Sequence, residues 1–458
     1  MQASLKELQA SMTSATLTRD THVSGLTTDS RQLRKGDLFL ALRGEHFDAH
    51  NFLESVEATG AAAVVAERVP PGFSLPALIV PDTKMALAEI ARYWRTKFSL
   101  PVIGVTGSNG KTTVKEMIAS ILVEYVGAEC SLSTTGNLNN EIGVPMTVLR
   151  LQKQYRCAVI ELGMNHPGEI ALLASIAMPT VALVNNAQRE HQEFMQSVDA
   201  VAEENGSVLR GLPVDGTAVF PADDIYTDFW RSIAAESSQR KILTFGLSKN
   251  ADVRGQYQPN VFGSDLQISI AGETFSVCLS AAGVHNVLNA LAAAACCHAI
   301  GVPNEIIMCG LAAFQPVNGR LQLKQAANGA SIIDDTYNAN PDSVRAAIDV
   351  LAQFGQNGVL VLGDMGEVGE GGIAFHQEIG AYARERGIAQ LLTLGALAQH
   401  AAFAFGSRAK HFENIDEMQA ALDACILASS TVLVKGSRFM KMERIVTHLT
   451  KQQSIGSH

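Results

Sequence analysis

The run Val105-Thr106-Gly107-Ser108-Asn109-Gly110-Lys111-Thr112-Thr113 carries the plainest chemistry in this 458-residue chain. Glycines let backbone N–H groups close on phosphate oxygens. A lysine supplies a point charge to the β- and γ-phosphates, and a threonine hydroxyl can hold Mg²⁺. Gly107, Ser108, Asn109, Gly110, Lys111, Thr112 and Thr113 are therefore the candidate nucleotide-binding residues. The generic spacing wants a glycine five residues before Gly110, where Val105 stands; Gly104 is one place off. The plainer alternative is a glycine-rich strand-to-helix turn. Two further groups fall at strand ends. Glu161 follows Cys157–Ile160 and is a natural magnesium ligand. His191 follows Val181–Asn185 and is either a metal contact or an ordinary loop histidine.

Other polar clusters are weaker signals. Thr134–Pro145 is dense in amides, so Asn137 and Asn139 are candidate ligand contacts or members of a capping loop. Asn286 and Asn289, three apart in an Ala-rich helix that His285 could cap, share a face within reach of a purine edge. Arg320 follows a turn glycine. The stretch Asp334-Asp335-Thr336-Tyr337-Asn338-Ala339-Asn340-Pro341 is richer in functional groups than a turn requires.

These residues need elements to hold them. Residues 1–99 read as one α/β unit, with strands at Leu38–Leu42 and Ala61–Ala66 and helices at His50–Thr59 and Lys84–Phe98. Residues 100–315 alternate buried strands (Pro101–Thr106, Ala158–Glu161, Val181–Asn185) with helices, the pattern of a parallel sheet covered on both faces. Val261–Leu279 alternates instead, so that sheet is expected to be mixed. Residues 316–458 repeat the strand–helix alternation. Three of their strands end in polar turns at Asp335, Gly363-Asp364-Met365 and Lys435-Gly436-Ser437, the expected look of a binding edge. The fold class is α/β, in three domains.

Composition narrows the partners. With 35 Lys and Arg against 45 Asp and Glu, the net charge is −10, which argues against nucleic acid and for a soluble metabolite or metal-nucleotide. No run reaches the roughly 20 apolar residues of a membrane span, and no secretory signal is evident. Seven cysteines without a Cys-x-x-Cys pair read as buried free thiols in the cytoplasm, and a zinc site is not expected. A guanine-specific switch would need an Asn-Lys-x-Asp motif, which is absent.

Taken together, these motifs resemble the Mur ligases of peptidoglycan synthesis, whose own phosphate loop has the Thr-Gly-x-x-Gly-Lys-Thr-Thr spacing seen at Thr106–Thr113. The resemblance covers essentially the whole chain. It includes Asp29-Ser30-Arg31, Gly44–His50, Gly136–Pro145, Glu161–Ile170, Gly319-Arg320, Tyr337–Pro341, Gly363–Met365 and Lys435–Arg438. The Tyr337–Pro341 run is similar to the member that adds D-alanyl-D-alanine. The member that adds the third residue carries Asp-Tyr-Ala-His-Thr-Pro there and an Asp-Asn-Pro-Arg motif later, and this chain has neither. A folylpolyglutamate-type ligase would share the loop but not this segment.

The resemblance implies an ATP- and Mg²⁺-dependent ligase that joins D-alanyl-D-alanine to UDP-MurNAc-tripeptide through an acyl phosphate, acting as a monomer. It implies a UDP-binding N-terminal domain, a central ATPase domain and a Rossmann-like C-terminal domain for the dipeptide. Lys111, Glu161, His191 and Arg320 would be catalytic, with Thr112, Glu161 and His191 on the metal. Asn286 and Asn289 would face adenine, and Arg320 and Asp335 the phosphates and ribose. Tyr337, Asn338 and Asn340 would seat the dipeptide. Ser30, Arg31, Gly44, Asp48 and His50 would line the UDP pocket, with Asn137 and Asn139 at the muramoyl group. One departure stands out. The family's carbamylated lysine, fourteen residues after the histidine, is Asn205 here, so Glu203 or Glu204 is the candidate substitute carboxylate.

Overall fold

Short apolar runs separated by helical sequence bury both faces of a strand, and parallel sheets are the arrangement that accepts them. A computed structural model, describing residues 1–190, 192–260, 262–355 and 357–451, has this architecture. Among the described residues the strands form a two-stranded ribbon and three larger sheets. The first domain holds the ribbon and a five-stranded sheet, in the order Thr16–Leu17, Ala77–Ile79, Ala63–Ala66, Asp37–Leu40 and Gly25–Thr27. All the sheet's pairings are parallel except the first.

The middle sheet has nine strands. Val102–Thr106, third from one edge, is flanked by Cys157–Glu161 on one side and Val181–Val184 on the other, both parallel to it. The chain therefore reverses its direction of growth at Val102–Thr106. A crevice opens beyond the carboxyl end of the strand at such a point, and ligands of open α/β sheets bind there. At the far edge, Val253–Asn260, Gly263–Ile270 and Glu273–Leu279 run antiparallel to one another, so the sheet is mixed as the alternation predicts; Val261 lies outside the described residues. The third sheet has six strands, with Ser331–Asp335, Thr431–Lys435 and Gly358–Gly363 side by side and parallel. Their carboxyl ends place Asp335 beside Lys435.

Helix Thr83–Arg95 ties the first domain to the second. Asp82 caps it through Oδ1, accepting from the Lys84 and Met85 amides. Near its other end Arg95, only 5% exposed, donates to the carbonyls of Ala177, Met178 and Phe98. One apolar core runs from Leu38 and Leu87 through to Leu173 and Trp230, so no solvent layer separates the two domains there.

The cysteines only partly match the expectation of buried thiols. Cys157, Cys296 and Cys297 are buried, and burial pushes all three thiols up, Cys157 to about 11. Cys278 and Cys309 are exposed, because they lie on the solvent-facing side of an edge strand and of a surface helix. No helix among the described residues is long and apolar enough to cross a membrane.

Helix Lys111–Val126, which carries the phosphate loop at its start, is pressed against helix Asn304–Ala313 at Gly310. A Cβ there would collide with the backbone of Ile121, and Ser120 Oγ donates to the Gly310 carbonyl at 2.7 Å. Gly310→Ala is expected to cost about 1–3 kcal/mol of stability by overpacking. Denaturant unfolding of the full chain checks this; an unchanged midpoint would show that the two helices can separate freely.

Candidate active site

The loop after Val102–Thr106 is built around two glycines. Gly107 has φ +134° and Gly110 φ +83°, backbone that side chains with a Cβ rarely adopt. Contact makes the same demand. A Cβ on Gly110 would sit 2.5 Å from Asn289 Oδ1, and one on Gly107 2.9 Å from the Asn185 Cβ. Gly110 then caps helix Lys111–Val126, whose N-terminal amides and dipole favour an anion.

A second segment, residues 185–190, holds the loop from the side. The Asn186 carbonyl accepts from the Ser108 amide at 3.2 Å, and Asn186 Oδ1 accepts from the Asn109 amide at 2.9 Å. Asn185 donates to the Asn109 carbonyl at 2.8 Å and to Asn289 Oδ1 at 2.9 Å; Asn289 in turn donates to Asn286 Oδ1 at 3.1 Å. Asn286 and Asn289 thus spend their amides in a buried chain beneath Gly110. Lys111 Nζ folds back onto the Gly107 and Ser108 carbonyls and pairs with Glu190 Oε1 at 2.7 Å.

Glu161, 2% exposed, sits opposite the loop. Its Oε1 accepts from Thr112 Oγ1 at 3.1 Å and Asn139 Nδ2 at 2.8 Å, while Oε2 is buried with no hydrogen-bond partner among the described residues. A carboxylate oxygen left bare beside a threonine hydroxyl suits a hard cation.

The third domain forms the facing wall. Lys435 Nζ, 3% exposed with its residue, donates to Asp335 Oδ2 at 2.5 Å and to the Asn338 carbonyl at 2.9 Å. The Arg320 guanidinium lies 4.2 Å from the centre of the Tyr337 ring. Asn340 caps helix Pro341–Ala352 and reaches across to donate to Asn109 Oδ1 at 2.9 Å. The two walls enclose a cleft of 490 Å³.

Most sequence candidates meet in this cleft. Ser108, Asn109, Gly110, Lys111, Thr112, Thr113, Asn137, Asn139, Glu161, Asn286, Asn289, Arg320, Asp335, Tyr337, Asn338 and Asn340 all line it, with Gly107 directly behind. His191 lies outside the described residues. The first-domain candidates do not border this cleft. There Asp29 holds the exposed Arg31, and the paired guanidinium draws the Asp29 carboxyl down to about 2. Gly44 donates to the Phe47 carbonyl, and Ser30 begins a short helical turn. His50 is buried, its Nδ1 2.6 Å from Asp48 Oδ1 and its Nε2 accepting from the Glu67 amide.

Two expectations need correction. Neither Glu203 nor Glu204 lines the cleft, because Glu204 is spent capping helix Glu169–Ala177 through the Gly168 and Ile170 amides and Glu203 is exposed on the other side of its helix. Asn205 is fully buried, accepting from Thr106 Oγ1 at 2.7 Å. His285 is not a cap, since Gly283 takes that position. Sequence reasoning missed Glu190 and Arg189 as members of the cleft; a charged triplet directly following the amide-rich strand end was the available signal.

The chain matches three family models: "Mur ligase family, catalytic domain" over residues 22–95, "Mur ligase middle domain" over 105–297, and "Mur ligase, glutamate ligase domain" over 319–438. It is 40% identical to the UDP-N-acetylmuramoyl-tripeptide–D-alanyl-D-alanine ligase of Escherichia coli across 94% of both chains. It is similar to a crystal structure of MurF from Acinetobacter baumannii, with a TM-score of 0.90 and 36% identity over 97% of this chain and 98% of that one. A MurF ligase from Thermotoga maritima in complex with ADP aligns with a TM-score of 0.84 at 27% identity, covering 94% of this chain and 98% of the other.

Two outcomes are expected. Gly110→Ala should leave the far-ultraviolet circular dichroism spectrum intact while removing detectable ADP binding by calorimetry, since its Cβ drives into the Asn289 amide. His285 lies between the domains, and burial pulls its pKa down to about 4, with Asp335 partly opposing. The unfolded chain therefore takes up this proton near pH 6.5 and the folded one only near pH 4. Stability attributable to His285 is complete above about pH 6.5 and is lost as pH falls towards 4. His285→Gln should flatten the decline of the urea midpoint across that window.

Proposed function

The chain belongs to the Mur ligase family, and from that premise we propose that it works as follows. It is an ATP-dependent, ADP-forming ligase that joins D-alanyl-D-alanine to UDP-MurNAc-tripeptide. The γ-phosphoryl group passes from ATP to the terminal carboxylate of the tripeptide, giving an acyl phosphate. The dipeptide amine attacks that carbonyl, a C–N bond forms, the C–O bond to phosphate breaks, and the amine gives up a proton.

The observation that carries this reading is one cleft with cations on both walls: Lys111 on the phosphate loop, Arg320 and Lys435 opposite. Both reacting partners in the first step are anions. Lys111 offsets their repulsion from the nucleotide side, and Arg320 is placed to contact the transferring phosphoryl group from the other. Mg²⁺ is proposed at Thr112 and the bare Glu161 oxygen. Bound there, it supplies charge neutralisation at the phosphates. His191 completes the proposed metal set by resemblance alone.

Asn286 and Asn289 border the adenine end, and Asp335 the ribose. Tyr337, Asn338 and Asn340 form the dipeptide edge, while Asn137 and Asn139 stand on the muramoyl side. Ser30, Arg31, Gly44, Asp48 and His50 mark the UDP pocket, Asp48 and His50 being bonded to each other. Domain boundaries are placed at 99/100 and 315/316. The proposed enzyme acts as a monomer on cytoplasmic substrates.

Phosphate release from ATP tests the reading. Release should require both UDP-MurNAc-tripeptide and D-alanyl-D-alanine, with the pentapeptide product seen by mass spectrometry. Release driven by folate and glutamate, or by neither substrate, would overturn it. Lys111→Ala should lower the ligation rate by roughly 10²–10³-fold or more.

A further inference from the structure

Residues 185–190 leave strand Val181–Val184 as an irregular rail that touches the phosphate loop on one side and the third domain on the other. Asn186, Gln188 and Glu190 turn to the phosphate loop: Asn186 meets Ser108 and Asn109, Gln188 Oε1 accepts from Asn109 Nδ2 at 2.6 Å, and Glu190 takes Lys111. Arg189 turns the other way, into the third domain. Its backbone amide donates to Asp342 Oδ2 at 2.9 Å. Its guanidinium reaches Asp342 Oδ1 at 2.6 Å and Glu378 Oε2 at 2.7 Å, beside the Phe375 ring. Asp342 lies in the first turn of helix Pro341–Ala352, immediately after the Tyr337–Asn340 edge, and Glu378 is also held by Arg345 at 3.1 Å.

This is not an ordinary surface pair. One guanidinium bridges carboxylates on two helices, with about a quarter of its side chain exposed, and the two acids hold the Arg189 proton well above the usual arginine range. Such forked, partly desolvated contacts are stronger and more directional than exposed lysine pairs. The third domain cannot swing away from the phosphate loop without breaking them.

We infer that Arg189 is a positioning residue that couples nucleotide binding at the phosphate loop to the seating of the third domain. The rail senses the loop through Asn186, Gln188 and Glu190, and through Arg189 it fixes helix Pro341–Ala352 and hence the dipeptide edge. The dipeptide part of this inference rests on the ligase reading; the coupling itself does not.

The test uses the full chain and the variants Arg189→Ala, Arg189→Lys, Asp342→Asn and the double Arg189→Ala/Asp342→Asn. Arg189→Ala should enlarge the radius of gyration in small-angle scattering and weaken binding of a non-hydrolysable ATP analogue with Mg²⁺ about tenfold. It should raise KM for D-alanyl-D-alanine by a similar factor, with a smaller change in kcat. Arg189→Lys should recover only part, because an ammonium cannot fork between two carboxylates. The double variant should be no worse than either single one. Unchanged scattering and analogue affinity in both single variants, or strictly additive losses in the double, would overturn the inference. Failure of the parent chain to ligate would instead overturn the ligase reading, with scattering and analogue binding still deciding the coupling.

Discussion

The cleft depends on two positions where no Cβ can be accommodated. Because Gly107 and Gly110 are bare, Asn185 and Asn289 can press against the loop backbone, and the buried amide chain Asn185–Asn289–Asn286 fills the space beneath it. That chain links helix Val284–Ala299 to the end of strand Val181–Val184, so the loop is braced by two elements distant in sequence. The direction of Lys111, the start of helix Lys111–Val126 and the place of Thr112 opposite Glu161 all follow from this contact. A rigid loop matters because the transferring phosphoryl group gains most from groups already in position.

The second constraint is charge. A protein of net −10 must bind polyanions, and it does so by concentrating cations on facing walls. Three of the main cations are pre-positioned by acids: Lys111 by Glu190, Lys435 by Asp335, Arg189 by Asp342 and Glu378. Arg320 is held by the Tyr337 ring instead. A lone ammonium buried as deeply as Lys435 would be costly, and pairing lowers that cost until a ligand arrives. The negative balance of the chain is thus partly the counter-charge that stores its positive cleft.

Local pattern made the loop, the parallel strands and the polar strand ends readable, since each depends on residues within one strand–turn–helix unit. Val102–Thr106 with Gly107 and Gly110 needed nothing from elsewhere. What stayed hidden depends on partners far away in sequence. Glu190 meets Lys111 across 79 residues, and Arg189 meets Glu378 across 189. In the sequence both look like solvated loop charges. Glu204 misled for the same reason, because its partners are amides 34 and 36 residues earlier. Asp48 and His50 came only with the resemblance, and neither their mutual bond nor the Glu67 amide on the imidazole was legible.

Asn205 shows how one exchange can be absorbed by a neighbouring segment. The resemblance anticipates a lysine there whose carbamate would help hold a second metal. Asn205 instead sits fully buried with its Oδ1 on Thr106, and an amide keeps that site neutral. A carboxylate reaches the loop from the opposite direction: Glu190, 9% exposed and paired with Lys111. Burying a lysine or its carbamate beneath Thr106 would require desolvating a charge where Asn205 is fully buried. Placing the acid on the strand-end rail avoids that cost, and it puts the charge on the segment that also carries Arg189.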